Sequence, residues 1–281
     1  MKFSVLLSVY AKENPVYLEQ ALESVLCQTC MPNEIVLIED GPLTSELYRG
    51  IEQYEKTYPS FFRRVPLKQN VGLGRALNQG VLACRYPFIA RMDTDDIARP
   101  DRFEKQVSAF RANPELSLVG GWIEEFSDSP DEIRSVRSVP LSHQDIVRYA
   151  KRRNPINHMT VMFRKQAVLE AGNYLPMDLS EDYYLWYRLI EKGFLLCNLS
   201  DILVSVRGGK EMIARRGGFQ YWQSERELQQ IFLTSGFISR QEYIRNITVR
   251  FFARMMPGIV RDLLYQKILR KRTKSIRDIR K

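Results

Sequence analysis

The feature that most constrains this chain is a pair of short, almost uninterrupted apolar runs, "FSVLLSV" at 3–9 and "EIVLIED" at 34–40. A strand that buries one face alternates apolar and polar residues, whereas a strand apolar at nearly every position is covered on both faces, as in a parallel sheet. Between the runs, Leu18, Ala21, Leu22, Val25 and Leu26 recur at helical spacing. The segment therefore reads as a βαβ unit.

The alternation continues with a strand over 62–67, a helix over 74–83, the strand "PFIARM", a helix opening at Pro100, where proline suits the first turn, and the strand "LSLVGGWIEEF". Up to about residue 125 the expectation is an open α/β, mostly parallel sheet with helices on both faces. Beyond it the spacing predicts a helix over 142–152, a strand "HMTVMF" over 158–163, helices near 164–171 and 181–192, and a short strand near 202–206. The stretch "RGGKEMIARRGG" (207–218) reads as a mobile loop, and helices are expected from there to the end.

With 281 residues and 44% apolar content, the chain can bury a large core. Its net charge of +9 is unevenly placed. From Arg245 to Lys281 there are twelve Lys/Arg against Asp262 and Asp278, which leaves 30 basic and 31 acidic residues elsewhere. The body is near neutral and the tail carries the excess, a pattern suited to anionic lipid, nucleic acid or an acidic protein. Within the tail, Ile259, Val260, Leu263, Leu264 and Ile268 keep helical spacing among basic residues, as an interfacial amphipathic helix does. Few aromatics interleave with those charges, so base stacking is poorly served and no nucleic-acid partner is expected.

Cys27-x-x-Cys30 lacks a second Cys/His pair at ligand spacing, and the chain has only His143 and His158, so its four cysteines read as reduced thiols. No cleavage pattern of small residues precedes Lys12 and Glu13, and no window approaches the roughly 18 apolar residues of a membrane span. A cytoplasmic protein is expected.

Ligands of open α/β sheets bind beyond the carboxyl ends of the strands. Ser8 to Tyr10, Asp40, and Asp93, Asp95 and Asp96 in "FIARMDTDDIARPDRF" all fall there. Gathered carboxylates repel unless something positive lies among them, and a hard divalent cation with oxygen ligands, held together with substrate phosphates, answers that need. Asp93 and Asp95 point to the same side of extended backbone, so one can hold metal while the other takes hydroxyls. Asp101, after Pro100, reads as a helix start.

These residues are recognisable together. "FSVLLSVYAKENPVYLEQALESVLCQT", "EIVLIEDG", "NVGLGRALNQGV", "FIARMDTDDIARPDRFEKQV" and "LSEDYYLWYRLI" resemble, in order and spacing over about 3–207, the family 2 glycosyltransferases of the GT-A fold. The resemblance implies a Rossmann-like catalytic domain over 1–218, with a nucleotide-sugar half (about 1–125) and an acceptor half (about 126–218), followed by a helical, basic extension over 219–281. It implies an inverting enzyme using a UDP-sugar donor. Asp40 would bind uracil and Tyr10 frame it; Asp93 would meet ribose or sugar hydroxyls; Asp95 would hold Mn²⁺ or Mg²⁺, and Asp96 would orient the group. Asp182 would be the catalytic base, since an acceptor hydroxyl must lose its proton as it attacks, with Glu181 an acceptor contact.

By the same resemblance Arg75 would touch the nucleotide, and His158, in "NPINHMTVMFR", would lie on the acceptor side. Arg207, Arg215 and Arg216 would close over the donor diphosphate or meet a pyrophosphate on the acceptor. Glu39 stands where the family more often has Asp. The Gln-x-x-Arg-Trp motif of processive members is absent, which suggests addition of a single sugar, with β-1,3 as the linkage to test. A lipid-linked or saccharide acceptor, met by the tail at an anionic membrane surface on the inner face of the cell membrane, completes the expectation. The rival readings are a carboxylate-based glycoside hydrolase and a nucleic-acid binder built on the tail.

Overall fold

In the computed structural model, which describes residues 1–127, 129–130, 132–177, 179–208, 218–256 and 271–272, the two apolar runs form β1 (Phe3–Val9) and β2 (Glu34–Glu39). They pair in parallel, with Val5 opposite Ile35 and Val9 opposite Glu39. The crossover α1 (Pro15–Leu26) starts where the Asn14 side chain accepts from the Val16 N–H at 2.9 Å. Next come α2 (Ser45–Thr57), β3 (Phe62–Pro66), α3 (Leu73–Ala83) and β4 (Phe88–Arg91). The order β3-β2-β1-β4 is parallel throughout, so the chain reverses direction across the sheet between β1 and β4. In such sheets that is where a ligand crevice opens. α2 escapes the sequence pattern because only Leu47 and Ile51 of its 13 residues are buried, too thin a stripe to read.

The second half is mixed. After β5 (Ile97–Ala98), α4 (Arg102–Ala112) leads to β6 (Leu116–Phe126) and β7 (Ile133–Arg137), then α5 (His143–Ala150), β8 (Met162–Arg164), α6 (Lys165–Glu170), α7 (Glu181–Glu191) and β9 (Leu195–Arg207). β9 runs parallel along the whole of β6, so the other edge of β6 is shared, antiparallel, by β8 and β7. β5 pairs with the far side of β9, Ile97 opposite Ser205. The strand expected over 158–163 is instead a 3₁₀ turn at His158–Thr160 followed by β8. The Thr160 hydroxyl donates to the Asn157 carbonyl at 2.7 Å and accepts from the Gly121 N–H at 3.0 Å, giving the backbone a turn in place of a ladder. β9 is much longer than its readable end, because Asn198, Ser200 and Asp201 interrupt the apolar pattern.

The pleat sorts β1: Phe3, Val5 and Leu7 face α1 and α4 (Leu18, Leu22, Phe103, Val107), while Leu6 faces α3, α6 and α7 (Leu77, Val168, Trp186). α8 (Phe219–Thr234) joins α5 and α7 in a third cluster of Ala150, Tyr183, Tyr187, Leu228 and Phe232, and α9 (Arg240–Met255) packs on α8. The helical tail expected to the end is interrupted at Lys271–Arg272, where a short strand, β10, pairs antiparallel with β7, whose edge offers unpaired backbone groups. The remainder of 257–281 lies outside the described residues.

Candidate active site

β1, β2 and β4 deliver Tyr10, Asp40 and Asp93 to the same end of the sheet. Asp40 is buried, and its carboxylate accepts from the Val71 N–H (2.7 Å), the Gly72 N–H (3.1 Å) and Asn70 Nδ2 (3.1 Å). It pins the loop that opens α3, and about one of its four lone-pair sites remains. Gly41 makes this approach possible: its φ is +90°, and a Cβ there would lie 2.5 Å from the Asn70 nitrogen. Tyr10 is exposed at the rim. Beside the loop a cavity of about 650 Å³ is lined by Lys68, Val71, Arg75, Asn78, Tyr174 and Leu175.

Past β4 the chain turns sharply. The Met92 N–H still donates to the Leu6 carbonyl (3.0 Å), and buried Arg102 of α4 donates to the freed Arg91 carbonyl (2.7 Å). The carboxylates of Asp93, Asp95 and Asp96 then lie with ligand oxygens within 4.8 Å of one another. Burial, reinforced by Asp93 and Glu13, pushes Asp95 up to about 7. Asp96, 2% exposed, is held well above the usual carboxylate range by burial, Asp95 and Asp93. Its Oδ1 accepts from the Arg207 N–H at 3.0 Å, a bond set up by the pairing of β5 with β9. Thr94 Oγ1 donates to Glu13 Oε2 at 2.5 Å, tying the turn to the loop after β1. An all-oxygen donor set whose charge burial resists is the environment a hard divalent cation relieves, so these residues fit Mn²⁺ or Mg²⁺.

A second acidic pair opens α7. Asp182 Oδ2 accepts from Asn154 Nδ2 (2.7 Å) and Oδ1 from the Tyr183 N–H (2.6 Å). Burial raises the Asp182 pKa and those two bonds restrain the rise. Glu181 is pushed up to about 7 by burial and then by Asp182, and packs against Gly74 of α3, where a Cβ would meet its own Cβ at 3.2 Å.

Both acidic groups feel the charge of Arg91. Its guanidinium is 2% exposed and ion-pairs with Asp93, while Nε and Nη1 have no hydrogen-bond partner among the described residues. Its field favours the ionised forms of Asp95, Asp96, Glu181 and Asp182 alike. Sequence reasoning passed over Arg91, although a cation inside a doubly buried strand two residues before an acidic cluster was a readable signal.

The sequence profile of Glycosyl transferase family 2 matches residues 4–171, which span both the β1–β4 crevice and the Asp93–Asp96 cluster. The chain is a family 2 glycosyltransferase. It is 42% identical, over 94% of this chain and 98% of the relative, to the amylovoran biosynthesis glycosyltransferase AmsE of Erwinia amylovora. It is 37% identical, over 96% and 97%, to the UDP-Gal:alpha-D-GlcNAc-diphosphoundecaprenol beta-1,3-galactosyltransferase of Escherichia coli. The mannosyltransferase PcManGT from Pyrobaculum calidifontis, solved with GDP-Man and Mn²⁺, superimposes with a TM-score of 0.60 at 14% identity, covering 89% of this chain and 69% of that one. The fold is GT-A, and the hydrolase reading gives way to a transferase.

In this glycosyltransferase the remaining candidates fall in distinct places. Arg75 is exposed on the 650 Å³ cavity with Lys68. His158 is buried, its Nε2 2.9 Å from Tyr174 Oη, and burial and Arg91 push its pKa well down, so it stays neutral. Arg207 belongs to β9 and not to the glycine-rich loop. Its guanidinium stacks on Tyr17 (3.7 Å) and Phe126 (4.8 Å) and donates to Gln20 Oε1 (2.7 Å) and the Asp95 carbonyl (3.3 Å). It buttresses the acidic turn from behind. Arg215 and Arg216 lie outside the described residues. Asp101 precedes α4 and pairs with Lys105 at 2.8 Å, in keeping with a helix start.

Proposed function

We propose that this glycosyltransferase is inverting and metal-dependent, and moves one hexose or N-acetylhexosamine from a UDP-sugar to a lipid-linked saccharide during assembly of a cell-surface polysaccharide. The observation that carries the reading is the pairing of two largely half-buried acidic groups of different character, Asp93/Asp95/Asp96 on the strand tip and Glu181/Asp182 on α7, both within the field of the buried Arg91 guanidinium. The similarity to the E. coli galactosyltransferase, whose name specifies a UDP-sugar and a diphosphoundecaprenol acceptor, supports the substrate classes and a β-1,3 linkage.

In this mechanism Asp182 accepts the proton of the acceptor hydroxyl as its oxygen bonds to the anomeric carbon, while the bond from that carbon to the UDP oxygen breaks. Asn154 and the Tyr183 N–H hold the carboxylate in place for that transfer. Asp95, supported by Asp96, would hold the divalent ion, and Asp93 would take donor hydroxyls. When bound, the ion supplies positive charge against the departing diphosphate. Tyr10, Asp40 and Arg75 line the nucleotide end, and Glu181 meets the acceptor. Residues 1–218 form the catalytic unit, and the basic 219–281 region meets an anionic membrane surface at the inner face of the cell membrane; among the described residues no helix is long and apolar enough to cross a membrane.

A panel of UDP-sugars with a synthetic lipid-diphosphate N-acetylhexosamine tests the reading, with Mn²⁺ or EDTA present and the product's anomeric configuration read by NMR. A β-linked product from the α-configured donor, lost in EDTA and restored by Mn²⁺, is expected. Retention of configuration, or full turnover in EDTA, overturns it.

A further inference from the structure

α9 is built inside out. A surface helix ordinarily turns its apolar stripe to the core and its charges to water. Here Asn246, Arg250 and Arg254, four residues apart, occupy the inward face beside Tyr243, which packs on the apolar cluster of α5, α7 and α8. Arg254 grips Glu225 of α8 with both arms, Nε to Oε2 at 2.8 Å and Nη2 to Oε1 at 2.7 Å, and Arg250 ion-pairs with the same carboxylate. Asn246 donates to Gln229 Oε1 at 2.8 Å and to the Lys151 carbonyl at 2.7 Å. These charged side chains are only 14% (Arg250), 10% (Arg254) and 7% (Glu225) exposed.

The outward face carries a stripe of exposed apolar side chains. Ile244, Phe251, Phe252 and Met255 fall on a single stripe centred on Thr248. Ile244 and Phe252 are each 61% exposed. Phe219 of α8, 55% exposed, extends the surface through Trp222, whose ring lies 5.4 Å from both Phe219 and Phe251. Scattered exposed apolar residues need no explanation, but a contiguous aromatic patch marks an interaction surface. Burying the arginines to turn phenylalanines outward is the reverse of what solubility favours, so the face is suited to a partner that is itself apolar.

The surroundings identify that partner. Arg226, Arg240 and Arg245 are exposed near the patch, and the chain that continues from it, residues 257–281, carries nine Lys/Arg against two Asp. Phe, Trp and Met on a helix flanked by exposed arginines match the interface of an anionic bilayer, which offers hydrocarbon just beneath phosphate. We propose that the outward face of α9, with Phe219 and Trp222, inserts into the headgroup boundary of an anionic membrane and seats the catalytic domain on it. Insertion deepens the membrane contact proposed above for 219–281 and rests on it, and presenting the active site to a lipid-linked acceptor rests on the proposed sugar transfer.

The test uses the full chain and vesicles of phosphatidylcholine with or without phosphatidylglycerol. Replacing Phe251 and Phe252 together by Ser, at exposed positions that leave the fold intact by circular dichroism and thermal unfolding, should weaken partition by roughly tenfold or more. Transfer to a water-soluble acceptor should be unchanged. Brominated lipid should quench wild-type tryptophan fluorescence, and Trp222→Phe should remove that quenching while retaining binding. Unaltered partition of the double variant, or absence of quenching by bound brominated vesicles, overturns the proposal. So does a double variant that abolishes only self-association in sedimentation equilibrium, which would assign the face to a second copy of the chain. Failure of the proposed function would appear instead as lack of sugar transfer by every variant with vesicle partition intact.

Discussion

Replacing Asp182 by Asn should remove the proposed base and almost nothing else. The carboxylate accepts from the Tyr183 N–H at 2.6 Å and from Asn154 Nδ2 at 2.7 Å. An asparagine can offer its single oxygen to one of these donors, and its own N–H₂ then opposes the other. Asn154 can turn over to relieve the clash, at the expense of the 3.3 Å bond its Oδ1 accepts from the Ile156 N–H. That loss costs about 1 kcal/mol. It is offset because the neutral amide no longer bears the burial penalty that raises the Asp182 pKa. Stability should therefore change by no more than about 1 kcal/mol. Catalysis loses a positioned base, a factor of about 10²–10⁴, or about 3–5 kcal/mol in barrier. Single-turnover transfer from a UDP-sugar, paired with calorimetric UDP binding in Mn²⁺, separates the two effects. Because the base works only when ionised, the wild-type rate should fall with pH on the acidic side, whereas the variant's residual rate should lack that dependence. A variant turning over within tenfold of wild type, or one whose loss is matched by lost UDP affinity, would refute the assignment.

Asp95 and Glu181, both held up to about 7, should make the metal-free protein lose stability as pH climbs from about 4 to 7. In that window the unfolded carboxyls have given up protons that the folded ones retain, so thermal unfolding should show a falling midpoint and Mn²⁺ should raise it more at pH 8 than at pH 5. An equal Mn²⁺ effect at both would count against the site. Arg91→Met leaves Asp93 without its buried cation and should cost about 3 kcal/mol at pH 8. Urea unfolding should show a smaller loss at pH 5, where the acids are partly protonated, and equal losses would remove Arg91 from its counter-charge role. Glu225→Gln removes the counter-charge of two largely buried guanidinium groups and should cost about 3–5 kcal/mol. Burial opposes ionisation of Glu225, but Arg254 and Arg250 outweigh it and lower its pKa, so this contribution exists above pH 4.5 and fades as pH falls through the folded value. A cost below about 1 kcal/mol would show the α8–α9 clamp to be dispensable.

How much of this was legible in the chain depended on how local the signal was. β1, β2 and α1 could be read because each buries its face within a few residues, giving periods of near-continuous or helical apolarity. The acidic turn could be placed at a strand end because a strand that stops in carboxylates has few other uses. Long-range partners left no such trace. Nothing near Asp182 announces Asn154, 28 residues away, and nothing near Asp96 announces Arg207, which lies 111 residues off.

The order of elements and the identities of the carboxylates were thus determined by the sequence alone, through hydrophobic period and the cost of crowding negative charge. Tertiary structure decided which groups share a field. Only when α7 is brought against α3, and β9 against β5 and β6, does the charge of Arg91 act on both acidic groups and Arg207 become a buttress. Likewise, the arginines of α9 look solvent-facing along the chain, and only the buried Glu225 of the neighbouring helix turns them inward and the phenylalanines out. Coulomb energy and desolvation depend on distance and burial in space, and neither is a property of neighbours along the chain.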